Sequence, residues 1–65
     1  MTPREAKASY VEQARPIRRA IYEHQRSAAR AGSLAVREHH ARAIAAARAE
    51  LKRLERELLE RCGAV

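Results

Sequence analysis

The sequence has no Phe, no Trp and no Asp, and among its 65 residues only two tyrosines, two glycines, two prolines and one cysteine. Each scarcity excludes something. Half of the apolar residues are the 15 alanines, so Val11, Ile17, Ile21, Leu34, Val36, Ile44, Leu51, Leu54, Leu58 and Leu59 are the main bulky aliphatics available for a core. A chain of this size buries only about 60% of its unfolded surface in any case. Small scaffolds usually add a staple, and the lone Cys62 rules out an internal disulfide. The expected supplement is self-association or a partner helix, as a homodimer or a subunit of a hetero-complex.

A single cysteine fits a reducing compartment better than a secreted one. No apolar run exceeds the five residues 43–47, and the opening MTPREAKASY has no hydrophobic signal segment. The expectation is a soluble, cytoplasmic protein with no membrane partner. The apolar stripes are also alanine-rich and lack Trp or Phe anchors, which argues against an interfacial membrane helix.

Catalytic signatures are missing as well. There is no G-x-x-x-x-G-K-[ST] loop and no G-x-S-x-G elbow, and the glutamates are spread along solvated helix faces. The expectation is a protein that is not an enzyme and uses no cofactor and no metal.

Arginine and helix periodicity are what the chain does have. The formal charge of +6 is carried by the stretch 15–48, where eight arginines stand against Glu23 and Glu38, and the charges outside it cancel. Thr2, Pro3 and Glu5 make a helix start, with Thr2 as cap, Pro3 at the first helical position and Glu5 completing a capping box. Tyr10, Ala14, Ile17, Ile21, Ala28 and Ala31 then recur in steps of three and four, with His24 inside the series, forming a helical stripe. Pro16 cannot donate to the carbonyl of Glu12, but the stripe keeps its phase across it, which predicts a kinked helix rather than two helices.

Gly32 followed by Ser33 reads as a stop and a start: glycine for a left-handed residue after a helix, serine as the next cap. Phase supports a break here. Continuing the first stripe would put Glu38, Arg42, Lys52 and Arg56 on the apolar face, whereas the second stripe is His40, Ile44, Ala47, Leu51, Leu54 and Leu58. The expected fold is all-α: helices over 3–31 and 34–61, with Gly63 as the final stop, folded as one antiparallel αα-hairpin domain. Facing residues then carry numbers that sum to about 65 when two equal helices fold back over so short a connection. Two such hairpins would complete a four-helix bundle, or one would take a partner helix.

At the open end Arg53 with Glu57, Arg56 with Glu60 and Glu57 with Arg61 stand at i and i+4, beside four leucines. This resembles a coiled-coil surface. Ile17, Ile21, Ile44, Leu51, Leu54, Leu58 and Leu59 are the candidate partner or dimer interface.

Arg15, Arg19, Tyr22, Arg26 and Arg30 form one stripe away from Ile17 and Ile21, with Arg18, Arg37 and Arg42 nearby in the basic stretch. Like charges at i and i+4 destabilise a helix unless an anion relieves them. These eight residues are the candidate nucleic-acid-binding set, the arginines on phosphates and Tyr22 on a base or a phosphate. The competing readings are an acidic protein partner and a merely solvated basic face, with Glu23 reaching Arg19 or Arg26.

His24 and His40 both fall on the inward stripes and are paired by the hairpin register, with Glu38 and His39 alongside. The plain reading is a polar layer that fixes register, and a pH-sensitive junction is the next. A metal site of three or four protein ligands could be supplied by a symmetric dimer that doubles the pair. Cys62 reads as a bystander thiol.

Overall fold

The computed structural model describes residues 2–62, and among these it consists of two helices: α1, Pro3–Arg30, and α2, Leu34–Cys62. They pack against each other as an antiparallel hairpin measuring 47 × 17 × 11 Å. The shortest dimension is about one helix diameter. The molecule is therefore a single-layered slab.

α1 begins as its sequence dictates. Thr2 is extended, at φ −76° and ψ 157°, and its hydroxyl accepts the Glu5 backbone N–H at 3.2 Å. The reciprocal bond from the Thr2 N–H to the Glu5 carboxylate, needed for a full capping box, is not among the described hydrogen bonds. α1 then runs unbroken through Pro16, which lies exposed inside it. Exposure lets water take the Glu12 carbonyl that proline leaves without a partner.

The turn departs from expectation. The helix stops at Ala31, which is extended at φ −70° and ψ 128°, with its N–H on the Ala28 carbonyl at 3.2 Å. Gly32 is not left-handed, and a methyl group placed on it would meet nothing within 4 Å. An extended Ala31 already carries the chain out of the helix, so the left-handed residue is unnecessary. Ser33 holds the start of α2 through its carbonyl, which accepts the Arg37 N–H at 3.1 Å. Its hydroxyl makes none of the described hydrogen bonds. The expected stop at Gly63 lies outside the described residues.

Packing follows the two stripes. Tyr10, Ile17, Ile21, His24 and Ala28 of α1, with Ala31 just beyond its end, are half-buried, as are His40, Ile44, Ala47, Leu51 and Leu58 of α2. Among the described residues only Ala6, Ala14 and Leu54 are buried. Glu38, Arg42, Lys52 and Arg56, which an uninterrupted helix would have turned inward, are exposed. Register is as the stripes require: Tyr10 meets Glu55 and His24 meets His40, pairs whose numbers sum to 65 and 64.

Four of the bulky aliphatics expected for a core stay outside it. Val11 is 41% exposed, Val36 44%, Leu59 53% and Leu34 70%. Val11 and Leu59 each follow a seam residue, and one residue turns the side chain by about 100° around the axis. Leu34 and Val36 lie in the first turn of α2, where the departing chain offers little to pack against.

The i,i+4 ion pairs expected at the open end do not form. Arg53 instead reaches Glu50 at 3.4 Å, one turn in the other direction. Glu57 is half-buried and lines a crevice with Arg61, Tyr10 and Leu54. Exposed pairs of this kind contribute only a few tenths of a kcal/mol, too little to draw Glu57 away from the seam.

Candidate nucleic-acid interface

The outer edge of α1 carries the arginine column. Each residue advances about 100° around the helix, so Arg19, two past Ile17, points almost directly away from the seam. Arg15, Tyr22, Arg26 and Arg30 share that side, and all five are exposed. The column spans about 22 Å from Arg15 to Arg30 at a rise of 1.5 Å per residue.

Local contacts pre-order part of it. Arg19 Nε lies 3.4 Å from the Glu23 carboxylate, both side chains being well exposed. The Arg26 guanidinium sits over the Tyr22 ring, 5.7 Å from its centre, and Tyr22 is 58% exposed. Such cation–π stacking holds both groups at the surface. Arg15 and Arg30 make no described ion pair, so the four like charges along this edge stand against two carboxylates, Glu23 on Arg19 and Glu12 one turn before Arg15.

The remaining arginines go elsewhere. Arg18 donates through Nη2 to the Tyr10 hydroxyl at 3.1 Å and lies over that ring at 5.7 Å. Tyr10 in turn donates to Glu55 Oε1 at 3.2 Å. Arg18 thus belongs to a clasp across the seam. Arg37 donates through Nε to the Ala31 carbonyl at 3.0 Å, tying the turn down. Arg42, two residues past His40, falls on the outer edge of α2, across the 17 Å width from the α1 column. The eight candidates therefore divide among two edges, the seam clasp and the turn, with Arg15, Arg19, Tyr22, Arg26 and Arg30 forming the one contiguous group.

The candidate partner residues lie mostly in the hairpin's own seam. Leu54 is 7% exposed, Ile17, Ile21, Ile44, Leu51 and Leu58 are half-buried, and Leu59 is open to solvent. The crevice at the open end has a volume of about 10 Å³, room for one water at most.

Near the turn the rings of His24 and His40 approach with their Nδ1 atoms 2.8 Å apart and their centres at 5.0 Å, partly buried. The His39 ring lies edge-on to His40 at 5.4 Å. Among the described residues no group of three or more His, Cys, Asp or Glu side chains is placed to hold a metal ion. Glu38 points outward and is exposed.

Two contacts had no sequence signal beyond the register itself. The Tyr10 clasp joins residues 45 positions apart, and the Cys62 Sγ lies 4.0 Å from the Pro3 carbonyl, half-buried rather than free at the surface. Among the described residues no helix is long and apolar enough to cross a membrane.

No family model matches the chain, and neither a curated protein nor a solved structure is similar to it. The functional reading rests on the geometry above.

Proposed function

We propose that the chain is a small, non-enzymatic regulatory or accessory protein of the cytoplasm that binds RNA or DNA through the outer edge of α1. The observation that carries this reading is the exposed column Arg15, Arg19, Tyr22, Arg26 and Arg30, whose four arginines outnumber the two glutamates of the same face, Glu23 paired with Arg19 and Glu12 one turn before Arg15. Phosphate oxygens are the complement of such a row, and Tyr22, held by Arg26, offers a ring on which a base can stack. Contacts to the backbone dominate, so binding is salt-sensitive and weakly sequence-specific. Neutralising about four phosphates gives a log–log salt slope of roughly −3 to −4. A gel-shift series with generic RNA and DNA tests this, and no shift at low salt would sink it.

The assembly follows from the thin core. With Ala6, Ala14 and Leu54 alone buried among the described residues, the half-exposed seam residues gain most from a second hairpin laid against the slab, completing a four-helix bundle. α1 bends at Pro16 within that bundle, at the turn where a backbone hydrogen bond is lost.

A protein adaptor or inhibitor is the second reading, favoured by the half-buried leucines at the open end beside exposed Leu59. There the seam docks on a partner and the basic edge meets its acidic surface. Leu59→Glu, at an exposed position, then abolishes association while Arg19→Glu only weakens it, and the co-purified partner survives nuclease treatment. For nucleic acid the order of the two substitutions reverses.

A further inference from the structure

We infer that His24 and His40 form a two-imidazole chelate for a divalent transition-metal ion that prefers right-angle coordination, Cu²⁺ or Ni²⁺. The two Nδ1 atoms come from different helices and face each other at 2.8 Å. At ordinary metal–imidazole bond lengths of about 2.0–2.1 Å, two nitrogens bound at 90° stand about 2.9 Å apart, and two bound at the tetrahedral angle about 3.3 Å. The observed separation is that of the hydrogen bond between the rings and also lies near the 90° value, so turning the two rings until both lone pairs meet at one point would seat a square-planar or octahedral ion without parting the helices. A tetrahedral Zn²⁺ would have to spread the rings by about 0.5 Å.

The surroundings leave the site open to the remaining ligands. Ala20 and Ser27 stand one turn from His24 and Ala43 one turn after His40, Ser27 exposed and the two alanines half-buried. Their small side chains leave room for coordinated water. Arg37, one turn before His40 on α2, is turned aside onto the Ala31 carbonyl, and Arg42, two residues after His40, is exposed on the outer edge. No carboxylate is hydrogen-bonded to either ring in the described structure, and Glu23 is engaged by Arg19. The proton balance is simple. Two neutral imidazoles carry one N–H each, and the ring that donates through Nδ1 moves its proton to Nε2 through solvent, so both Nδ1 lone pairs reach the metal with no net proton loss. The bound ion ties α1 to α2 beside the turn.

The test uses the full chain without a histidine tag, and it does not depend on nucleic-acid binding. Thermal unfolding followed by far-UV circular dichroism should rise by about 5 °C or more with millimolar Ni²⁺ and return on chelation with EDTA. His24→Gln and His40→Gln should each abolish the shift, and His39→Gln should keep it. A wild-type shift under about 1 °C, a shift that survives His24→Gln or His40→Gln, or one lost in His39→Gln would overturn the inference. Should either glutamine variant fail to fold, sub-stoichiometric Cu²⁺ added to the wild-type chain gives the same answer by NMR. The ring signals of His24 and His40 should broaden together and before His39, and any other order, or no broadening, counts against the site.

Discussion

The hydroxyl of Tyr10 donates to the carboxylate of Glu55 across the seam at 3.2 Å and accepts from Arg18 at 3.1 Å, so one phenol bridges an acid on α2 and a base two turns along α1. This fixes the hairpin's register by a directional contact where the apolar seam, built from alanines and a few aliphatics, would slide easily. Tyr10→Phe keeps the ring in the seam and removes both bonds. The expected loss is about 0.5–1.5 kcal/mol, a melting point lower by several degrees. An unchanged melting point would show that the clasp contributes nothing.

Leu54 is the one bulky side chain among the described residues that is buried, at 7% exposure. Leu54→Ala should cost about 2–4 kcal/mol, enough to unfold much of a marginal hairpin. Leu59→Ala, at a position 53% exposed, should leave helicity intact. If Leu59→Ala nevertheless lowers the mass seen by light scattering, it marks a partner surface.

Gly32→Ala tests the turn. Because Gly32 is not left-handed and a methyl group there meets nothing, alanine should be tolerated and should raise stability by about 0.4–1 kcal/mol through a less flexible unfolded chain. Destabilisation by more than about 1 kcal/mol would mean that the turn needs a backbone conformation only glycine adopts.

Charge reversal separates the edges. Arg26→Glu should weaken nucleic-acid binding and lower the magnitude of the salt slope by about 1, with Tyr22 losing its stacked cation as well. Arg42→Glu, on the other edge, should change the slope far less. Equal effects from the two would mean that both edges touch the same duplex.

Helix phase made most of the fold legible beforehand. The stripes Tyr10 to Ala31 and His40 to Leu58 lie in the seam as their spacing requires, and the pairing of His24 with His40 follows from register. What phase could not supply was the behaviour of single side chains near the ends. Whether Glu57 reaches Arg53 or turns to the seam depends on a few tenths of a kcal/mol. Gly32 departs from the left-handed role common for glycine after a helix because Ala31 leaves the helix by an extended conformation open to any residue. The arginine column was visible from its spacing; the diversion of Arg18 to Tyr10 and of Arg37 to the turn was not, since long side chains choose among several nearby acceptors.

The meeting of Cys62 with Pro3 puts both ends of the hairpin shoulder to shoulder, with the turn at the far tip of a 47 Å rod. Whatever is joined to either end hangs from that shared base. A fluorophore on the Cys62 thiol would therefore sit remote from Arg26 and Arg30, able to report on docking at the base while leaving the tip unobstructed.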